Sequence, residues 1–339
     1  MRSIYALLCL FSVLILTGCE KPAQEVNVYS ARNEELIKPL LDRFSAETGI
    51  QVNLITAKAD ALMERMISEG EHSPADLLIT VDAGRLHRAQ QAGLLSSIQD
   101  PTLNDLVPAR LRDSNGDWYG LSVRARVIIY APDRVDASNL NSYQSLTDEQ
   151  WQGRICIRSS GNIYNQSLAA GMIAHDGAEA TESWARGIVA NMARDPVGGD
   201  RDQIRAVAAG ECDVAVINTY YLGMMLTGDD EEQRQIAEQV AVFWPNQAST
   251  GTHINVSGAG IPVHAPNRDA ALQLLTFLLN NESQQWYAET NLEYPVRGDI
   301  PVSSTLSAWG DFTQDELPLV KLGELNAEAV RVMDRAGWK

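Results

Sequence analysis

The alternation of strand-like and helix-like segments is the feature that most restricts the fold of this chain. Glu25 to Ser30 alternates apolar and polar residues as a strand does, and Glu34 to Thr48 repeats apolar residues along one helix face. Gly49 follows at the position of a helix C-cap, and residues 50–55 form a second alternating strand. This order of elements predicts an α/β fold built on parallel strands.

The same alternation continues along the chain. Asp60 is the predicted cap of a helix that ends at Glu69, residues 75–80 predict a strand buried on both faces, and residues 84–92 predict another helix. Residues 146–151 carry the pattern of a short capped helix. The second half of the chain therefore has the same α/β character as the first.

Two segments are predicted to cross between two such units, one beginning at Arg124 and one covering residues 254–262. We therefore predict an α/β, two-lobed clamshell with the ligand cleft between its lobes, because ligands of open α/β sheets bind at the carboxyl ends of strands. The predicted boundaries are residues 26–123 plus 252–298 for lobe 1 and residues 124–251 plus 299–339 for lobe 2.

The N-terminus predicts export. Arg2 precedes an apolar run over residues 4–16, and these 13 residues are too few to span a bilayer, which takes about 20. Residues 1–18 are therefore a predicted signal peptide. The sequence Leu-Thr-Gly-Cys at residues 16–19 resembles a lipobox, which makes Cys19 the predicted lipid anchor and residues 19–25 a tether; alternatively, the signal peptide is an ordinary one. The expected location is the periplasm or the cell exterior.

The charge balance argues against nucleic-acid binding. The chain holds 27 basic and 44 acidic residues, for a net charge of −17, whereas nucleic-acid binding relies on an excess of Lys and Arg. An acidic surface attracts cations without choosing among them, so selectivity has to come from a site.

Two cysteines are left for the folded body, because Cys9 lies in the signal peptide and Cys19 is assigned to lipid. Cys156 and Cys212 both lie in short strand-like segments. In an oxidising compartment, neighbouring strands could bring them within disulfide distance.

Four residues at predicted element ends could carry chemistry, namely Tyr164, Tyr220, Tyr221 and Arg124. A phenolate is a hard oxygen donor, and a trivalent iron ion can drive its deprotonation. Packing is the commoner role of a Tyr-Tyr pair, so the residues alone leave that alternative open. Adjacent tyrosines on a strand point to opposite faces, so both can reach one ion only where the backbone turns.

Signals of catalysis are weak. The histidines lack zinc-site spacing, and the chain has neither a Gly-x-Ser-x-Gly elbow nor a P-loop. We therefore predict that the protein is not an enzyme.

Several motifs together resemble one family. They are Val28-Tyr29-Ser30-Ala31-Arg32, Gly120 to Arg126, Val81-Asp82-Ala83-Gly84, Arg158 to Gln166, Asn218-Thr219-Tyr220-Tyr221 and Glu293-Tyr294-Pro295-Val296. Over nearly the whole mature chain, the sequence is similar to the periplasmic ferric-iron-binding proteins of iron(III) ABC transporters, and most similar to their cyanobacterial, tyrosine-rich branch. The resemblance implies a type II periplasmic-binding-protein fold, a monomer, and a permease with its ATPase as partners.

The resemblance also implies a ligand set for Fe(III). Tyr164, Tyr220 and Tyr221 match the family's ligand tyrosines, and Arg124 matches the arginine that holds carbonate or another synergistic anion. After the first strand, however, this chain has Asn33 and Glu34 where the branch usually has His and Tyr. Glu34 could replace the missing ligand or be a solvated acid of the first helical turn, with Asn33 near the anion.

Asp82 follows a predicted strand at a position where some relatives carry a ligating glutamate. It could lie next to the anion or the metal ligands without binding the ion itself, or it could simply cap the next helix. Other cargoes remain open, namely an oxyanion, thiamine or a polyamine, as does a lipid-anchored enzyme or iron-sensing protein on the same fold.

Overall fold

A computed structural model describes residues 24–339 of the chain. The predicted signal peptide, Cys19 and most of the tether lie outside these residues. Within the described range, no helix is both long enough and apolar enough to cross a membrane.

The strands and helices follow the alternation of the sequence. The strands are β1 (Glu25–Ser30), β2 (Gln51–Thr56), β3 (Leu77–Thr80), β4 (Tyr119–Tyr130), β5 (Ile155–Cys156), β6 (Val214–Asn218), β7 (Ala241–Phe243), β8 (Ile254–Gly260) and β9 (Tyr294–Pro295). The α-helices are α1 (Glu34–Thr48), α2 (Ala59–Glu69), α3 (Ala83–Gln91), α4 (Pro101–Leu106), α5 (Ile163–Asp176), α6 (Ala178–Asn191), α7 (Asp200–Ala208), α8 (Thr219–Thr227), α9 (Glu231–Ala237), α10 (Arg268–Leu278), α11 (Asn281–Glu289), α12 (Ser304–Ala308), α13 (Val320–Glu324) and α14 (Asn326–Arg335).

The strands pair in the order β2-β1-β3-β8-β4-β6-β5. The pairs β1–β2, β1–β3 and β5–β6 are parallel, whereas β8 runs antiparallel to β3 and β4, and β4 runs antiparallel to β6. The first half of β4 pairs with β8 and its second half pairs with β6, so β4 passes from one α/β unit to the other. This arrangement confirms the predicted two-lobed α/β fold.

The first helix has the predicted bounds, and its end is set by Gly49, whose positive φ of 74° favours glycine. Its buried face consists of Ile37, Leu40, Leu41 and Phe44. Ile37 is fully buried with the rest of the stripe, whereas Leu36 is only partly buried and faces the space between the lobes.

Two local predictions were wrong. Asp60 does not cap α2, because Lys58 holds the N-cap position and the Asp60 carboxylate pairs with Arg88 of α3 at 2.5 Å. Residues 146–151 do not form an α-helix; they belong to two short 3₁₀ helices, Gln144–Thr147 and Glu149–Trp151.

Strand β4 also begins earlier than Arg124, at Tyr119. Glycines allow this extension, because a Cβ at Gly258 of β8 would lie 2.7 Å from the Tyr119 carbonyl oxygen, and one at Gly120 would lie 2.7 Å from that of Leu111. The close approach of the backbones requires glycine on both strands.

Cys156 at the end of β5 and Cys212 before β6 form a disulfide, with their Cα atoms 5.8 Å apart. The chain's tail packs mainly on the second unit, where α14 lies against α5 and α6. The short helix α13 contacts both α5 and α3, so the tail also touches the first unit. The lobe boundaries given above remain predictions.

Candidate functional site

A cavity of about 250 Å³ lies between the two lobes and collects most of the residues singled out by sequence. Tyr164, Tyr220 and Tyr221 line it from the second lobe, and Asn33 lines it from the first. Arg124, on the crossing strand β4, also belongs to its wall. The tyrosines and this arginine are thus brought together as expected.

Helix N-termini position the three tyrosines. Tyr164 is the second residue of α5, which Asn162 caps by accepting a hydrogen bond from the Tyr164 backbone amide at 3.2 Å. Tyr220 and Tyr221 lie in the first turn of α8, which starts directly after the fully buried strand β6. The backbone turn required for both tyrosines to face one cavity is therefore the start of a helix.

The three phenols lie close together. The hydroxyl oxygens of Tyr164 and Tyr220 are 3.3 Å apart, and the ring centroids of Tyr220 and Tyr221 are 4.2 Å apart. Burial, followed by the neighbouring phenols Tyr164 and Tyr221, raises the pKa of Tyr220 well above its usual value of 10. Burial and the nearby Tyr164 likewise raise the pKa of Tyr221. Without a cation, these two groups are therefore neutral at physiological pH.

Arg124 is buried beside these rings. Its guanidinium carbon lies 5.7 Å from the centroid of the Tyr220 ring, and its nitrogens donate to the Val81 carbonyl oxygen and the Ser257 hydroxyl. A 3.4 Å ion pair links it to Glu293. The arginine is held in place from the first lobe while it faces a tyrosine of the second.

Arg32 and Glu293 form a wall of the cavity on the first lobe that the sequence alone did not predict. Their side chains pair at 2.7 Å, Ser122 donates to Glu293 at 2.6 Å, and Arg32 donates to Ser257 at 2.5 Å. Burial favours the protonated carboxyl, but Arg32 and Arg124 outweigh it and lower the pKa of Glu293. Both residues lie in motifs that resemble the family, and this resemblance is the one sequence signal that could have marked them as part of the site.

The second lobe adds a further set of charges behind the tyrosines. Arg126 and Arg158 share Asp200, at 3.5 Å and 3.1 Å, and Arg158 lies 5.7 Å from the Tyr164 ring centroid. Arg126 also donates to the side chains of Asn165 and Asn218, at 2.5 Å and 3.0 Å. These contacts hold the starts of α5 and α8 together.

The two residues that depart from the family pattern have different positions. Asn33 is exposed and lines the cavity. Glu34 is exposed in the first turn of α1 and does not belong to the cavity wall. The structure therefore does not bring the Glu34 carboxylate together with the three phenols.

Asp82 acts as a helix cap. Its carboxylate accepts from the Gly84 amide at 2.7 Å, the Ser167 hydroxyl at 2.9 Å and the Asn255 side chain at 2.8 Å. The side chain is fully buried and does not line the cavity, so it is occupied by helix α3 and by the contact with α5.

Within residues 24–339, no group of three or more His, Cys, Asp or Glu side chains is placed to hold a metal ion. The tyrosine cluster is a different kind of site, in which phenol oxygens are the available donors. The molecule is therefore a two-lobed binding protein whose cavity is lined by phenol oxygens, which are hard donors.

Known proteins agree with this description. The family model of bacterial extracellular solute-binding proteins matches residues 72–312, and the chain belongs to that family. It is 47% identical over 316 residues to iron uptake protein A1 of Synechocystis, an alignment that covers 93% of this chain and 88% of that protein.

Solved structures are equally similar. FutA (IdiA) of Trichodesmium, solved with iron and citrate, has a TM-score of 0.90 and 46% identity, covering 93% of this chain and all of the other. The ferric-binding protein of Campylobacter jejuni has a TM-score of 0.89 and 37% identity, with coverages of 93% and 100%. The resemblance to periplasmic ferric-iron-binding proteins is thereby confirmed.

Proposed function

We propose that this protein captures Fe(III) in the cavity between its lobes through the phenolates of Tyr164, Tyr220 and Tyr221. The observation that carries the proposal is the convergence of three phenols from two helix N-termini, with the Tyr164 and Tyr220 oxygens 3.3 Å apart. Close relatives are named for iron uptake, which supports the same conclusion.

The chemistry of the donors suits this cargo. Three phenolates supply three negative charges to a trivalent ion, and hard anionic oxygen ligands favour the ferric state over the ferrous one. Each ligand loses its proton when the ion binds, so affinity falls as the pH falls. Carbonate or another synergistic anion beside Arg124 would complete the coordination, with Asn33 on the first-lobe side.

Delivery follows from the family. The protein would hand its ion to the permease of an ABC importer, whose ATPase drives transport. It would act as a monomeric carrier in the periplasm and not as an enzyme.

We further propose that a lipid on Cys19 tethers the protein to a membrane. The wild-type protein should incorporate radiolabelled palmitate and Cys19→Ala should not; a wild-type protein that takes up no label would refute the anchor.

The decisive experiment is a titration of metal-free protein with ferric citrate. We expect a visible absorption band from phenolate-to-iron charge transfer, lost in the double variant Tyr220→Phe with Tyr221→Phe. Tyr130→Phe is the matched control, since Tyr130 ends β4 and does not line the cavity. Absence of a band, or a band unaffected by the double variant, would refute ferric binding through these residues.

The electrostatics of the wall disfavour a polyamine cargo. Three arginines line the cavity, namely Arg32, Arg124 and Arg201, against the single carboxylate of Glu293. A polyamine carries several positive charges and would need the opposite balance. Binding of spermidine to the metal-free protein, measured by calorimetry, would support that rival. Steady turnover of a substrate would support an enzyme.

A further inference from the structure

Tyr164 has less support from the central sheet than the other two tyrosines of the cavity. Tyr220 and Tyr221 follow β6, which is buried along its whole length and pairs with both β4 and β5. Tyr164 follows β5, which has two residues and lies at one end of the strand order. Residues 158–162 connect this short edge strand to α5 and belong to neither element. The position of Tyr164 therefore depends on what holds residues 158–162.

Side chains of α5 hold one side of this connecting segment. The Asn165 side-chain amide donates to the carbonyl oxygens of Arg158 and Ser159, at 2.8 Å and 3.2 Å. The Gln166 side-chain amide donates to the carbonyl oxygen of Ser160 at 3.0 Å. Because both donors belong to α5, these bonds fold the segment onto the helix that it precedes.

The tail of the chain holds the other side of the segment. The indole Nε1 of Trp338 donates to the Arg158 carbonyl oxygen at 2.9 Å, and the Ser160 amide donates to the Lys339 carbonyl oxygen at 2.9 Å. Trp338 is buried, and its ring lies 5.8 Å from that of Trp184 in α6. The segment is thus bound between α5 and a side chain that is 180 residues away in the sequence.

The hydrogen bond from Trp338 also fixes a charge next to the tyrosine. The Arg158 side chain pairs with Asp200 at 3.1 Å, and its guanidinium carbon lies 5.7 Å from the centroid of the Tyr164 ring. A positive charge near a phenol favours the phenolate form, which is the form that binds a metal. Because Trp338 binds the backbone of Arg158, loss of this bond would displace both the start of α5 and the guanidinium.

We propose that Trp338 is a positioning residue for iron binding, because its indole hydrogen bond to Arg158 fixes the segment that presents Tyr164 to the ion. Trp338 does not line the cavity and acts through the tyrosine. This inference rests on the proposed ferric site and adds to it a residue outside the cavity wall. If Trp338 served only to pack α14 against α5 and α6, its hydrogen bond would have no effect on the coordination of iron.

The test is a double-mutant cycle on the iron-loaded protein. Trp338→Phe keeps an aromatic ring and removes the N–H donor, Tyr164→Phe removes the proposed ligand, and a third variant carries both changes. Trp338→Phe should fold, because the Arg158 carbonyl oxygen still accepts from Asn165. Trp151→Phe is the matched control, since Trp151 is also buried in the second lobe but its N–H has no acceptor among residues 24–339.

Urea unfolding first establishes that each metal-free protein is folded, and each is then loaded with ferric citrate. Two quantities are measured, namely the absorbance of the visible band per bound iron and the half-life of that band in excess hydroxamate chelator. We expect Trp338→Phe to reduce the absorbance per iron and to shorten the half-life about fivefold, the effect of losing one hydrogen bond. In the protein that already lacks the Tyr164 hydroxyl, Trp338→Phe should change neither quantity, because the two residues act together. Trp151→Phe should match the wild type.

The outcomes separate this inference from the ferric site itself. An equal loss with and without the Tyr164 hydroxyl would show that Trp338 stabilises the lobe in general, which overturns the positioning role and leaves the tyrosine site standing. An unchanged half-life or an unchanged absorbance per iron in Trp338→Phe overturns it as well. If the wild type forms no band with ferric citrate, the ferric site fails first and the inference fails with it.

Discussion

Iron binding should depend steeply on pH, and the steepness should count the phenols that lose a proton. Burial and neighbouring phenols raise the pKa of Tyr220 and Tyr221, so both are protonated in the metal-free protein at neutral pH. Coordination of Fe(III) removes these two protons and that of Tyr164. Lowering the pH therefore favours the metal-free state, and the sign of the effect is a loss of affinity in acid.

The magnitude follows from the proton count. Each proton released contributes a factor of ten in affinity per pH unit, or about 1.4 kcal/mol, so three protons contribute about 1,000-fold or about 4 kcal/mol per pH unit. In the variant Tyr221→Phe one proton fewer is released, and the dependence should fall to about 100-fold per unit.

Calorimetry in buffers of different ionisation enthalpy measures the protons released directly. Because the hydrolysis and chelation of the added iron are common to all proteins, the informative quantity is the difference between wild type and Tyr221→Phe, expected to be about one proton. Tyr130→Phe, outside the cavity, should show no difference. Equal proton release by wild type and Tyr221→Phe would falsify the assignment of Tyr221 as a phenolate ligand.

Three further predictions concern other parts of the molecule. Replacing both Cys156 and Cys212 with Ser should lower the free energy of unfolding by about 4 kcal/mol, because the disulfide closes a loop across a sequence separation of 56 residues; urea unfolding measures this, and reductant should weaken the wild type but not the variant. Asp82→Ala should lower the free energy of unfolding by about 2–3 kcal/mol in the same assay, because the Gly84 amide, Ser167 and Asn255 lose their acceptor. A loss below about 0.5 kcal/mol, the size of an ordinary surface substitution, would contradict this role. Glu34→Ala should change iron affinity by less than about threefold, a change worth under roughly 1 kcal/mol, because Glu34 lies outside the cavity wall; a tenfold loss in a chelator competition would identify it as a ligand.

Local patterns in the sequence were sufficient to predict the succession of strands and helices from β1 to α3. The bounds of α1 follow from the helical spacing of its apolar residues and from the glycine at position 49, both of which act within a few residues. Asp60 shows the limit of such reasoning, because an acid near a helix start is equally suited to a cap and to an ion pair, and the distant Arg88 decided between them.

The site was predicted only as far as motifs could reach. Tyr164, Tyr220 and Tyr221 were identified by resemblance. Tyr220 and Tyr221 can both face the cavity because helix α8 starts directly after β6, and this was not predicted. Periodicity alone could not exclude a packing role for them.

The sequence by itself determined the α/β class and the order of elements from β1 to α3, because both rest on neighbours along the chain, and its resemblance to a family pointed to the candidate tyrosines. The tertiary structure decided which charges meet. Arg32 and Glu293 are 261 residues apart, yet they form one wall of the cavity. Arg201 and Asn33 line the same space from different lobes, whereas Glu34, next to Asn33, does not. No local pattern encodes these relations, because they depend on how β4 and β8 set the two lobes against each other.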